Sequence, residues 1–452
     1  MWKILGVLAF CGLLSPADGT IPGISVALSD DEMSQAFKET LTQDDLLANH
    51  LKGLTLLDIK YGNVVGLSIV NVNLPAVKVV LLDGAAEVNL YINLIITGDA
   101  LLKRPSGLLS ISVDLHVRLI YRLENFLDSE LDMKVFECAI LFEAVDTKLY
   151  GDSVLPPLLR TPLQQSLVTD LQQQICNILP IVFDQVEQIW TDGINEVISL
   201  GPYGNVMFQL AELPWITPKY LGINILVSFQ LSESGIIISI PKSAATIEVP
   251  SLDGHDYCVA FHPEVFNILL RVFVPKLPLE LSNSPAVFSK AEELKKAIVA
   301  LLPLWVLPDL PTHDFHLKII IRASPRIVFD KNGSTVTLLL DVGVLAKKKD
   351  ESQLSVAVLR CIVSLKATFS LVDAKLTVNL SLSKNVISLV TSGAGILHLA
   401  GLQAPINNLI EEIVLPAFNE PLSYGLPLPE FLGLPLVNVA IKMVGNALVI
   451  CK

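Results

Sequence analysis

The amino-acid sequence predicts an α+β protein whose architecture is written twice, each copy a block of antiparallel strands accompanied by amphipathic helices. Three observations carry this. Apolar and polar residues alternate without a break over 109–119, and again over 88–94 and 376–382, which is the period of strands with one buried and one wet face. Leu167, Leu171, Ile175, Ile178, Val182 and Val186 recur at helical intervals, so one stripe of a long helix must face a core. The order helix, strand block, long helix then repeats as helix, strand block, helix.

The elements follow in chain order. Lys3 and the apolar run 4–14 precede Ser15-Pro16-Ala17-Asp18-Gly19, a charged start, a run too short to span a bilayer and a small-residue cleavage site. Residues 1–19 are therefore expected to be a removed secretory signal, and the mature protein to be extracellular. The first strand block covers about 64–150, and the long helix runs from Leu163 to about Ile198, bent near Pro180, whose ring cannot donate to the preceding turn. Residues 232–250, with Gly235, Pro241 and Pro250 among small polar residues, are predicted as a linker between domains 20–231 and 251–452. A second helical zone covers 263–302, a second strand block about 316–398, and a third helical zone 404–422.

Hydrophobic residues make up 52% of the chain and charged residues 17%, against about 25% charged in an average globular protein. Such a surplus needs an interior. The stretch 385–410 is long enough to span a bilayer and lacks Asp, Glu, Lys and Arg, but Ser392-Gly393-Ala394-Gly395, Pro405 and Asn407-Asn408 interrupt it, so it reads as strand, turn and helix start. With no transmembrane segment expected, the surplus is assigned to an internal cavity or an apolar groove.

Enzyme chemistry finds no foothold. Gly393-Ala394-Gly395 lacks the third glycine of a dinucleotide loop, and no nucleophile elbow or phosphate loop is present. His313-Asp314-Phe315-His316 reads as a solvated strand entrance in preference to a metal clip. Cys258 and His262 could form a thiol and its base, but lie before the helix expected at Pro263 with no orienting carboxylate. Lys347-Lys348-Lys349 is followed by Asp350 and Glu351 and reads as a hairpin tip. No catalytic residue, metal, cofactor or nucleic-acid partner is expected. Once Cys11 leaves with the signal, Cys138, Cys176, Cys258, Cys361 and Cys451 remain, an odd number that allows at most two internal disulfides. Asn332-Gly333-Ser334 and Asn379-Leu380-Ser381 are acceptor triplets for glycosylation.

The duplicated plan, the Cys138 and Cys176 pair, the long helix around Cys176, the segment Pro250-Ser251-Leu252-Asp253-Gly254 and the carboxy-terminal runs Gly425-Leu426-Pro427-Leu428-Pro429, 436–440 and 447–450 together resemble the bactericidal/permeability-increasing, lipopolysaccharide-binding and PLUNC family, with the long-PLUNC (family B) members nearest in pattern. The resemblance covers nearly the whole mature chain. It implies two pseudo-symmetric barrels of twisted antiparallel sheet wrapped by long helices and joined by a central sheet, a boomerang in which each barrel holds a phospholipid-like or fatty-acid-like ligand, with a modulating role in innate immunity. It also implies a Cys138–Cys176 disulfide, and it places the helical stripe of Leu171, Ile175, Ile178, Val182 and Phe183 beside an acyl chain. The other two readings are a surface-active structural protein at a mucosal, egg or matrix boundary and an antibacterial protein that binds lipopolysaccharide.

Charge bears on the last of these. Residues 20–230 carry 12 Lys and Arg against 25 Asp and Glu, whereas 231–452 carry 19 of each. The amino-terminal half is cationic in the bactericidal relatives. Here its tip loops offer only His50, Lys52, Lys103 and Arg104, so charge-driven capture of lipopolysaccharide by this half is expected to be weak or absent.

Overall fold

The computed structural model describes residues 21–56, 64–100, 107–127, 130–149, 153–154, 157–273, 279–303, 315–331, 333–348, 352–393, 395, 399 and 401–452. The expected signal 1–19, the tip residues Lys103 and Arg104, His313 and Asp314, Asn332, and Lys349 to Glu351 lie outside them.

The chain opens with β1 (Ile24–Leu28), buried along its whole length, and α1 (Asp30–Thr42). Ser29 caps the helix by accepting from the Glu32 amide at 3.2 Å, and Asp30, Asp31 and Glu32 set negative charge at its positive end. Next come α2 (Leu46–Leu51) and four long strands, β2 (Val64–Leu81), β3 (Ala86–Ala100), β4 (Gly107–Leu127) and β5 (Glu130–Leu149), with a short β6 (Ser153–Val154). They form one antiparallel sheet in sequence order. The alternation read from the sequence sets its faces: Leu109, Ile111, Val113, Leu115, Val117, Leu119 and Tyr121 of β4 are buried, while Ser110, Ser112, Asp114, His116 and Arg118 point away.

The long helix α3 (Pro157–Ile194) then packs along β5. It begins and ends a few residues earlier than the sequence suggested: Pro157 suits a first helical turn, where the missing N–H has no partner to lose, and Val197 already belongs to β7 (Val197–Ser199). The helix continues through Pro180. Strands β8 (Gly204–Leu210), β9 (Trp215–Ile216), β10 (Leu221–Leu231) and β11 (Ile237–Ser239) complete the amino-terminal half. The segment 232–250 is not a loose tether, since β11 pairs with β10 and Ile240 and Ile247 are buried.

The second half repeats the plan with β12 (Tyr257–Phe261), α4 (Pro263–Val272), β13 (Leu279–Ser282), α5 (Ala291–Leu301) and the long strands β14 (Phe315–Asp330), β15 (Gly333–Lys347), β16 (Gln353–Val372) and β17 (Lys375–Thr391). The predicted helical zone 263–302 is thus two helices parted by β13, whose Leu279 to Ser282 extend the sheet by pairing with β14. The chain closes with α6 (Gln403–Leu409), a π-helical turn at Ile410–Val414, α7 (Leu415–Leu422), β18 (Leu426–Pro427), β19 (Ala440–Val444) and β20 (Ala447–Cys451). Pro416 explains the π turn: its ring nitrogen cannot donate to the Glu412 carbonyl, so the ladder widens there.

The halves meet in a central sheet of order β19-β20-β12-β1-β10-β8-β7, with β9 and β11 beside β10. Its middle is palindromic. Two first strands, β1 and β12, pair antiparallel from Ile24↔Phe261 to Leu28↔Tyr257, and each is flanked by the last long strand of its own half's hairpin, β10 or β20. A local two-fold therefore passes between β1 and β12. The outer sheets are open paths completed by helices. One hydrophobic core runs from Ile21 through both halves to Ile450.

Candidate functional site

The local two-fold creates two helix-on-sheet compartments. Comparing how each is closed locates the site.

In the amino-terminal compartment, α3 is tied to β5 at three levels. Gln164 Nε2 donates to the Val145 carbonyl at 3.1 Å, Cys176 is bonded to Cys138 with Cα atoms 5.8 Å apart, and Glu187 accepts from the Met133 amide at 2.7 Å. Leu171, Ile175, Val182 and Phe183 are 0% exposed, and Ile178 sits half-buried at the edge of the same stripe. Phe183 belongs to an aromatic cluster with Phe37, Tyr121 and Trp190 at centroid distances of 4.6–6.2 Å, and the Trp190 indole donates to Thr40 at 2.9 Å. The five stripe residues are together, but against protein. For them to meet an acyl chain, α3 must part from the sheet.

The mouth of this compartment is also filled. A 3₁₀ turn from the other half, Phe431–Gly433, lies against α1 and α3, with Phe431 and Leu432 buried and Phe431 edge-on to Tyr257 at 6.5 Å. Gly193 of α3 permits the close approach: a Cβ there would stand 3.2 Å from the Glu430 carbonyl.

The carboxy-terminal compartment has the counterpart turn, Gly201–Tyr203, contributed by the amino-terminal half. This turn does not bury itself. Tyr203 stands half-exposed, edge-on to Phe273 at 4.5 Å and to Tyr424 at 5.7 Å. What remains is an open cleft of about 680 Å³, lined on one part by Tyr203, Leu231, Val272, Phe273 and Pro421 and on the rest by Ser232, Glu233, Ser234, Arg271 and Glu420. Burial, then Tyr424 and Glu420 beside it, raise the Tyr203 phenol above its ordinary value, so the hydroxyl stays protonated and can donate. A lining part apolar and part polar offers an amphiphile one surface for its chain and another for its head. The sequence did not single out this cleft. The Gly201-Pro202-Tyr203 turn was the available signal, but its meaning depends on sheet order.

The remaining candidates are structural. Cys258 is bonded to Cys451, its cross-strand neighbour on β20, and so is no nucleophile. His262 caps α4: Nδ1 accepts from the Glu264 amide at 3.0 Å and Nε2 donates to the Ala245 carbonyl at 2.6 Å. Cys361 is a buried free thiol pushed up to about 12, chiefly by burial, and a thiol so protonated neither attacks nor ligates. Asn379 lies on the exposed face of β17. Among the described residues no three metal-ligating side chains gather, and no helix is long and apolar enough to cross a membrane.

Comparison with known proteins agrees with this architecture. Residues 265–451 match the family model described as LBP / BPI / CETP family, C-terminal domain. The chain is 24% identical over 485 aligned residues to BPI fold-containing family B member 3 of Mus musculus, covering 100% of this chain and 99% of the relative. It is 22% identical to member 6 of Homo sapiens over 100% of this chain and 99% of that one, and 24% identical to human member 4 over 86% and 63%. The crystal structure of lipopolysaccharide binding protein superposes with a TM-score of 0.58 at 16% identity, covering 96% of this chain and 98% of that chain. At that identity the likeness speaks for the fold alone.

Proposed function

We propose, for a chain that resembles the bactericidal/permeability-increasing, lipopolysaccharide-binding and PLUNC family along its whole length and shares its fold, that this is a secreted, non-enzymatic protein holding the chains of a phospholipid or similar amphiphile. The observation that supports this best is the cleft of about 680 Å³ between Tyr203, Leu231 and Phe273, with Arg271 at its rim, a size within the range of small-molecule sites. The stripe of Leu171, Ile175, Ile178, Val182 and Phe183 forms a second, closed compartment that accepts a chain only if α3 moves. The division into domains 20–231 and 251–452, sugar at Asn332 and Asn379, and a modulating role in innate immunity belong to the same reading. They rest on the palindromic sheet, the triplets and the resemblance respectively.

Chain length tests it. A buried methylene contributes about 0.8 kcal/mol, so each added carbon raises affinity by up to about fourfold until the cleft is full. Titration of folded, delipidated protein with fluorescent fatty acids of increasing length should saturate, tighten with length and change little with salt. The absence of a saturable signal, together with no lipid in an organic extract of natively purified protein, would return the surface-active structural reading.

A further inference from the structure

The outer face of the carboxy-terminal sheet differs from its counterpart in charge. Residues 315–391, which hold β14 to β17, carry 11 Lys and Arg against 5 Asp and Glu, whereas residues 64–149, which hold β2 to β5, carry 7 against 11. An average over each half hides this.

Strand register places the charges. In antiparallel pairs, directly opposed residues share a face and successive rungs on it lie about 7 Å apart. One rung of the outer face is Ile320, Asp341, Arg360 and Ser388; the next holds Leu339, Ile362 and Val386; the next Arg326, Thr337, Ser364 and Lys384; the next Val328, Thr335, Lys366 and Ser381. Ile362 is 45% exposed, Val386 47% and Val328 54%. Asp341 is the one carboxylate on these rungs, and it is already covered by Arg322 at 2.5 Å and Arg360 at 2.9 Å. Five cations thus surround an apolar row, against Asp341 on these rungs and Asp330 one rung beyond Val328. On the amino-terminal sheet the equivalent face neutralises itself: Arg118 is held by Glu87 at 2.7 Å and Glu137 at 3.4 Å, Asn93 donates to Asp114 at 2.6 Å, and His116 stacks on Tyr91 with centroids 4.7 Å apart.

We infer that the outer face of β14 to β17 docks on an anionic phospholipid bilayer, with Ile362 and Val386 meeting the interface and Arg322, Arg326, Arg360, Lys366 and Lys384 meeting phosphates. A membrane is favoured over a sulfated polysaccharide because the cations frame exposed branched apolar side chains, which a fully hydrated polymer gives no reason to present. The acidity of residues 20–230, 12 Lys and Arg against 25 Asp and Glu, opposes approach by the amino-terminal half, so the charge also orients the molecule. Docking is independent of the Tyr203 cleft.

Sedimentation of the full chain with vesicles tests this, using Asn379→Gln protein so that no sugar stands on the face. Binding to vesicles of 30% phosphatidylserine in phosphatidylcholine is expected, with little to pure phosphatidylcholine and loss on raising salt. Lys366→Glu with Lys384→Glu should lower partitioning by at least tenfold, since each basic residue near such a surface contributes about a fivefold factor. Lys148→Glu on the other sheet should leave it unchanged, and Ile362→Ser with Val386→Ser should lower it severalfold. All variants should keep the fatty-acid titration of the wild type, which separates failure of docking from failure of the cleft. The inference is overturned by equal binding of the Lys366/Lys384 variant, by no binding of folded protein to anionic vesicles, or by heparin retention that depends on the lysines while vesicle binding ignores Ile362 and Val386.

Discussion

Among the described residues the amino-terminal compartment is packed and the carboxy-terminal one is open, although one plan built both. In the first, a single helix of 38 residues is bolted to the sheet by a disulfide and two side-chain hydrogen bonds, and Phe431 stops the mouth. In the second, the helix is interrupted at Pro416 and held by amides: Asn419 accepts from the Leu380 amide and donates to its carbonyl, at 2.8 and 2.9 Å. Tyr203 at the one mouth is half-exposed, whereas Phe431 at the other is buried. Duplication supplies two equivalent positions. A few side chains at the mouths then decide which is packed and which is open.

The largest loss of stability is expected at the seam between the halves. Cys258 and Cys451 close a loop of 193 residues, for which chain entropy gives about 5 kcal/mol, against about 4 kcal/mol for the 38-residue separation of Cys138 and Cys176. Chemical denaturation of the paired Cys→Ser variants should therefore rank the Cys258/Cys451 variant as the less stable. Non-reducing peptide maps should show both pairs and leave only Cys361 to be alkylated after unfolding. A Cys138–Cys258 peptide would overturn the assignment.

Phe431→Ala should cost about 3–5 kcal/mol, the range for a buried phenylalanine, and should let the amino-terminal compartment bind a second equivalent of fatty-acid probe. Unchanged stoichiometry would show that α3 seals that compartment without help. Tyr203→Ala, at a half-exposed ring, should cost only about 1 kcal/mol of stability yet weaken probe binding several-fold; equal affinity would move the ligand out of the cleft beside Phe273.

The smallest effect concerns pH. Hydrogen bonds from Arg360 and Arg322 hold the Asp341 carboxyl below its ordinary value. A depressed folded-state value means that the contribution to stability is complete above the unfolded carboxylate range and is lost as pH falls through the folded one. Asp341→Asn should therefore flatten the acid limb of a stability-versus-pH curve below about pH 4. An unchanged acid limb would mean the two arginines are held by the sheet alone.

Much of this was legible in the residues. Alternation over 109–119 gave the faces of β4, because half-burial imposes a period of two whatever the neighbours are. The spacing of Leu171, Ile175, Ile178 and Val182 gave the buried side of α3 for the same reason. The interruption of the 263–302 zone by β13 was not legible, since Leu279 to Ser282 become a strand only because β14 lies beside them. Nor was the partner of Cys258, which depends on a pairing across nearly two hundred residues. The cleft was hidden most completely: it is a difference between two turns whose equivalence appears only once the central sheet is assembled.

That assembly has a consequence for biosynthesis. Strand β12, with every residue from Tyr257 to Phe261 buried, has β1 on one side and β20 on the other. A nascent chain can pair β1, β10 and β12 early, but it then carries a fully apolar unpaired edge until Ala447 to Cys451 leave the ribosome. Such an edge recruits other strands readily. A chain stalled or truncated before Ala447 is thus expected to be a client of chaperones and to aggregate even though both outer sheets are complete.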